Sequence, residues 1–551
     1  MKQFSLSIVI AAFFCLGMPA GSVPSPDLNV QQPASSSSKP VLKTNTRLVV
    51  VDVVATDRQG QPISGLQAQD FTVFEDGRPQ KISGFSFQQP GTRVVAQVAL
   101  RLPPNVVSNV PQHKASVLNV VLLDTLNGDF AGNAAAQSAL IKYLATAQLA
   151  QPLAIFAMQD KLTLLHDFTT DSQALKAAVE KYRPPAHQQN SEDTVSRASA
   201  FGSKGDYHTD DQRTEATLNQ LHTLARTLAG YPGRKNVIWL SESIPLMLFP
   251  ETAAQSGMTI ASLDVQPGQG KGSPQIMRTP TTFNAVRAAS PSRDFGGLVQ
   301  KVADAMMNAQ VAIYPVDSTG LGKDDHIGSQ HTMNDLASAT GGRAFYNRND
   351  LEVSLRTSLD DGSTYYTLTY YPDNKDWNGK FRNIAIKTEH PGTSLRYRQG
   401  YYALDPVAAA KDELKKVADD FSTALRLDSP SITTVQFQAG VVPPSNETQG
   451  KVLVNFAIDP HTLAFEKSDD GLEHASVSCV VWAFSGKGDP IRAEGTSNAT
   501  FKPDVFQQMM NSYFPCARSI SLKPGHYTLR LGVLDRTTNQ MGTTTTEVTV
   551  P

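Results

Sequence analysis

The residues best placed to do chemistry lie where apolar strands end. Leu118–Leu123 is an unbroken apolar run, and Asp124 follows it directly, with Asn127 and Asp129 just beyond. A second run, Lys235–Leu240, closes on Ser241-Glu242-Ser243, and a third, Val311–Val316, closes on Asp317-Ser318-Thr319-Gly320. Continuous apolar strands are what a parallel sheet buried on both faces requires. In such sheets ligands meet the carboxyl ends of the strands. Asp124, Asn127, Asp129, Ser241, Glu242 and Asp317 therefore form a candidate binding edge of oxygen-bearing side chains. The competing reading is that Asp124 caps the following helix or hydrogen-bonds a loop, and that Asp317 shapes a turn.

Catalytic patterns are missing. The chain has no G-x-S-x-G elbow and no H-E-x-x-H helix, so neither a serine-nucleophile turn nor a zinc-protease helix is indicated. Ser241 stands at a strand end, as a nucleophile would, but no base or oxyanion loop accompanies it. Gly230-Tyr231-Pro232-Gly233-Arg234-Lys235 lacks the spacing of a phosphate loop. It reads as a helix stop followed by two cations and a strand. His208, Asp210 and Asp211 could ligate a metal, but in a polar segment they read as solvated side chains.

The elements that position these groups alternate. After the first apolar strand come a helix at 134–148, a strand at 153–158 and a helix at 171–182 capped by Asp171. Thr214–Ala229 is the clearest helix, with Leu218, Leu221, Ala225 and Leu228 on one stripe; Gly230 and Pro232 end it. Further helices are expected at 295–308, 332–340 and 351–359, and a short strand at 343–346. This βα alternation predicts a doubly wound, mostly parallel sheet over 116–346. Segments 186–211 and 243–293 read as long polar loops.

Flanking regions are β-rich. Arg47–Asp57, Phe71–Phe74 and Lys81–Phe87, around the turn Asp76-Gly77, predict a small β module at 45–102. Leu102–Pro111 reads as a linker. Strands at 365–371, 381–388 and 395–402 predict a β appendage at 347–404. There Tyr365, Tyr366, Tyr370 and Tyr371 offer at most one aromatic side. A linking helix and an antiparallel β-sandwich are expected over 408–551.

Bulk properties narrow the function classes. The chain has 551 residues, too many for one core, and 40% are apolar, which argues against wholesale disorder. A net charge of −2 supplies no field for nucleic acid or an anionic membrane. Residues 1–22 have the layout of a cleavable signal peptide: Lys2, the apolar run Phe4–Leu16, then small residues. Residues 23–44, rich in Pro, Ser and Gln, read as a disordered spacer. No later stretch is apolar enough to span a bilayer. With Cys15 removed, Cys479 and Cys516 remain, and in an exported domain they can pair. Export to the periplasm, outer-envelope surface or medium is expected.

Three segments together carry a resemblance: RLVVVDVVATDRQGQPISGLQAQDFTVFEDGRPQKI at 47–82, VVLLDT at 120–125, and RTEATLNQLHTLARTLAGYPGRKNVIWLSESIP at 213–245. Residues 45–404 resemble the von Willebrand factor A-related domain of exported acidobacterial proteins. That resemblance implies a metal-ion-dependent adhesion site, in which hard oxygen ligands hold Mg²⁺ with one position open for an acidic partner group. Asp124 matches the motif's first Asp and Glu242 its late Asp, with Thr209 or Thr214 for the loop Thr. Leu126 and Gly128 stand where the motif has its two Ser. The ligand set Asp124, Glu242 and Thr209 is therefore degenerate. The resemblance implies adhesion to a protein or glycan partner. The alternatives are a metal-dependent enzyme or accessory subunit working through the two long loops, and a structural envelope protein.

Overall fold

The computed structural model describes residues 48–89, 102–111, 117–128, 130–184, 206–242, 260–264, 277–281, 296–318, 327–347, 350–404, 414–427 and 429–551 apart from 447 and 487. The signal peptide and spacer expected at 1–44 lie outside these residues, as does Asp129.

In chain order the first strands are β1 (Val49–Thr56), β2 (Phe71–Glu75), β3 (Arg78–Gln80), β4 (Ile82–Gln88) and β5 (Val106–Ser108). The α/β region follows: β6 (Val117–Asp124), α1 (Phe130–Thr146), β7 (Leu153–Met158), β8 (Leu162–Thr169), α2 (Ser172–Lys181), α3 (Asp206–Ala229) and β9 (Arg234–Ser241). It continues through the hairpin β10 (Ile260–Asp264) and β11 (Met277–Thr281), then α4 (Gly296–Asn308), β12 (Val311–Asp317), α5 (Ile327–Thr340) and α6 (Leu351–Asp360). Then come β13 (Tyr365–Tyr370), β14 (Phe381–Thr388), β15 (Ser394–Arg396), β16 (Gly400–Tyr402) and α7 (Leu414–Ala424). The last elements are β17 (Phe437–Val442), β18 (Val452–Ile458), β19 (Glu466–Lys467), β20 (Glu473–Phe484), β21 (Ile491–Phe501), α8 (Pro503–Met510), β22 (Phe514–Ile520), β23 (Gly525–Asp535) and β24 (Met541–Val550).

The central sheet has the order β12-β9-β6-β7-β8. Its β12–β9, β9–β6 and β6–β7 pairs are parallel, and β8 closes the edge antiparallel to β7. The side-chain period of two sorts β6 cleanly. Leu118, Val120 and Leu122 pack with Leu218, Leu221, Val302 and Leu336 from α3, α4 and α5. Val121 and Leu123 face Leu140, Leu175 and Leu355 from α1, α2 and α6. Both faces are thus covered, which is why these strands read as unbroken apolar runs. The short strand expected at 343–346 is a single parallel bridge, Val316–Phe345, at the β12 edge.

The segments expected as separate modules at 45–102 and 347–404 share two sheets. One has the order β15-β1-β13-β4 and the other β16-β14-β2-β3. β1 pairs antiparallel with β13, Val51 opposite Leu368, and β2 pairs with β14, Val73 opposite Ile386. Phe71 of the second sheet packs on Phe85 and Tyr366 of the first. In that core Glu75 meets Arg382 at 3.2 Å and accepts from the hydroxyls of Tyr370 and Tyr401. The tyrosines expected to offer an aromatic side mostly serve this core: Tyr365, Tyr366 and Tyr370 are buried, and Tyr371 alone is exposed.

The C-terminal region is a β-sandwich. One sheet runs β22-β18-β17-β5; the other contains β19, β20, β23 and β24, with β21 on β20. The segment read as a linker supplies β5, an edge strand of only three residues on β17. A disulfide joins Cys479 of β20 to Cys516 of β22 and so ties the two sheets together. α7 covers the outer face of β20, where Val417, Phe421 and Leu425 pack on Val480 and Trp482. Buried Arg530 donates to the carbonyls of Ala424, Ser429 and Pro430 and so holds the end of α7.

Candidate functional site

Asp124 ends β6 on the face that α3 covers. Leu122 lies opposite Trp239 in the β6–β9 register, so Asp124 reaches the level of Ser241. Period two puts Asp124, Trp239 and Ser241 on one face of the sheet. The α3 stripe Thr217, Leu221, Leu224 and Leu228 is buried throughout and presents one polar residue, Thr217, at its upper end.

These positions converge on one carboxylate. Asp124 Oδ1 accepts from the backbone N–H of Leu126 at 3.1 Å and of Asn127 at 3.0 Å. Its Oδ2 accepts from Asn127 Nδ2 at 2.9 Å, Trp239 Nε1 at 2.9 Å and Ser241 Oγ at 2.8 Å. Asn127 Nδ2 also lies 3.1 Å from Thr217 Oγ1, which itself donates to the Arg213 carbonyl at 2.9 Å. Thr125 anchors the strand end to the next strand through the Met158 carbonyl, 2.9 Å from its hydroxyl. Asp124 is only 3% exposed. Burial pushes its carboxyl pKa up, against the lowering effect of the bonds from Asn127, Ser241 and Trp239. Four of its five partners are N–H groups that can only donate, so the cluster is built around the ionised form.

The other expected residues take different places. Asp317 is buried beside Ser241 in the β12–β9 register, and its N–H donates to the Phe345 carbonyl. Asn127 and Ser241 belong to the Asp124 cluster. Glu242 lies over Gly128: a Cβ built there would stand 3.3 Å from the Glu242 Cβ and 2.8 Å from Asn133 Oδ1. Glycine at 128 thus makes room for Glu242 and Asn133. Thr209 sits in the first turns of α3, which starts at Asp206, so the polar segment 186–211 ends in helix. Thr217, one and two turns further on than Thr214 and Thr209, is the threonine that meets the cluster.

The donor set does not fit a divalent ion at Asp124. A metal there would have to displace several of five hydrogen bonds from a carboxylate whose surroundings supply donors and few ligands. Among the described residues, no three His, Cys, Asp or Glu side chains converge. What the cluster can do is fix geometry. It ties β6, β9 and α3 together at the edge where a binding surface of this fold would lie. Sequence reasoning missed Trp239 and Thr217. Both had a signal: an indole two residues before Ser241 on the same face, and one hydroxyl on an otherwise apolar helical stripe.

No protein-family model matches the chain, and no curated protein matches it. Solved structures do. An aerotolerance-related membrane protein from Bacteroides fragilis is similar over 45% of this chain and 99% of its own, at 10% identity and a TM-score of 0.23. The vWF domain of a type V pili tip protein from Porphyromonas gingivalis is similar over 44% and 93%, at 12% identity and a TM-score of 0.23. A von Willebrand factor type A protein from Catenulispora acidiphila is similar over 88% and 74%, at 10% identity and a TM-score of 0.22. Von Willebrand factor A proteins thus recur among the solved structures to which this chain is similar.

Proposed function

We propose that this is an exported, non-catalytic interaction protein that engages a protein or glycan partner through the carboxyl edge of its central sheet, without a bridging metal ion. The observation that carries this reading is the saturation of Asp124. Its five hydrogen bonds make the edge a rigid platform and leave the carboxylate no role as a metal ligand or base. Recognition then falls to the side chains and loops around the cluster, Glu242 and Asn133 among them. Ser241 supports a non-catalytic reading too, because its hydroxyl is committed to Asp124. The Cys479–Cys516 disulfide favours an oxidising compartment and so agrees with export. No described helix is long and apolar enough to cross a membrane.

The test is capture from envelope extract by the immobilised full chain, with and without EDTA. The expected result is a partner retained equally in both. Loss of the partner with EDTA would overturn metal independence. Failure to enrich any partner in either condition would overturn the interaction reading.

A further inference from the structure

A cleft of about 370 Å³ opens between the central α/β domain and the C-terminal sandwich. Its walls are α3, α4, α7 and the turn joining β23 to β24. The space exists because facing helical turns carry small residues, Ala225 and Ala229 on α3 and Ala305 on α4. Pockets of this size at a junction between domains are where small molecules bind.

The chemistry of the walls is specific. Arg226 Nη1 of α3 lies 3.2 Å from Asp420 Oδ2 of α7, and Lys301 Nζ of α4 lies 3.4 Å from the same oxygen. Two cations from one domain thus grip a single carboxylate oxygen from the other. All three side chains are partly shielded, 18%, 20% and 28% exposed. Around them the lining carries the amides of Gln300, Asn308, Asn539 and Gln540 and the carboxylate of Asp304, to which Asn308 Nδ2 donates at 2.8 Å. Amides both donate and accept, as hydroxyl groups do. Among the described residues the cleft is lined by the His222 imidazole but by no Phe, Tyr or Trp, so a neutral sugar would find no large aromatic face to stack on.

We infer that this cleft binds a small polyhydroxylated carboxylate, a sugar acid, whose carboxylate takes the place of Asp420 between Arg226 and Lys301. Asp420 is the internal occupant of that position. The ligand's hydroxyls meet the surrounding amides, and its entry releases α7 from α3 and α4. The inference concerns a different surface from the sheet edge and does not rest on the function proposed above.

Isothermal titration of the full disulfide-bonded chain at low salt, with sodium glucuronate as probe and glucose and sodium sulfate as controls, tests it. Glucuronate binds, and glucose and sulfate bind at least about tenfold more weakly. Asp420→Asn removes the internal competitor and tightens glucuronate about tenfold, whereas Lys301→Gln weakens it by a similar factor. Asn308→Ala, on an exposed helical position that does not hold the fold, weakens glucuronate and leaves sulfate unchanged. The inference is overturned if glucuronate binds neither the wild type nor Asp420→Asn. It is equally overturned if glucose or sulfate binds as tightly as glucuronate, or if Asp420→Asn lowers the melting temperature without tightening the ligand.

Discussion

Strand β9 is buried along its whole length and meets charge at both ends, in opposite ways. At its carboxyl end Ser241 and Trp239 help give Asp124 five hydrogen bonds. At its amino end stand two buried cations. Arg234 is well served, donating to Asn236 Oδ1, the Tyr314 hydroxyl and the Gly341 carbonyl. Lys235 is less so: its Nζ donates to the Tyr231 carbonyl at 2.7 Å. Burial pushes its pKa down to about 7, with the charge of Asp52 opposing that fall. The carboxyl edge is a fixed platform; the amino edge holds a group that changes charge near neutral pH. A buried charge is tolerated when donors or acceptors surround it, and otherwise it neutralises.

The largest effect expected is from Asp124→Ala. It leaves the Asn127 amide, the Trp239 indole and two backbone N–H groups buried without their acceptor, at a cost of about 4 kcal/mol in urea denaturation. Millimolar Mg²⁺ leaves the melting temperature of the wild type unchanged. A Mg²⁺-dependent rise that Asp124→Ala removes would turn the platform back into a metal site. Arg234→Met comes next, at about 3 kcal/mol, because it strips the partner from Tyr314, Asn236 and Gly341. A cost well below 1 kcal/mol would mean that water reaches the amino edge.

Lys235 separates the two ends by pH. Its folded pKa, about 7, lies below the unfolded value of 10.5. Between those values the unfolded chain binds the extra proton, so stability rises with pH. From pH 7 to pH 9 the gain from this group is about 2 kcal/mol. Lys235→Met flattens that slope, read by urea denaturation at the two pH values. An unchanged slope in the variant would mean that Lys235 stays charged in the folded protein and that both edges hold their charges alike.

How far the sequence revealed this depends on the range of the interaction. The apolar runs ending at Asp124, Ser241 and Asp317 were legible because burial on both faces imposes an unbroken local pattern. The helix ending at Gly230 was legible from its stripe and its stop. The pairing of β1 with β13 was not, because more than 300 residues separate Val51 from Leu368 and period-two strands do not name their partners. β5 was read as linker because three residues carry no period. β8 was missed because it is an edge strand whose middle is only partly buried, so LTLLHDFT lacks a clean pattern. At the site, Asp124 was legible as a strand end. Its saturation was not, since the donors come from β9 and α3 as well as the adjacent turn.

Thr217 gives the smallest and most pointed test. Valine matches threonine in shape but lacks the hydroxyl. In Thr217→Val the Leu221–Leu228 stripe stays packed, and Asn127 loses its contact to α3 while keeping its bond to Asp124. The expected cost is about 1 kcal/mol, the net worth of one buried hydrogen bond. Combined with Asp124→Ala, the two costs should fall short of adding, because both act through Asn127 Nδ2. Full additivity in that double-mutant cycle would mean that α3 is not coupled to the strand end. The carboxyl edge would then be a local turn at the end of β6, and its contrast with the amino edge would shrink to a difference between two single residues.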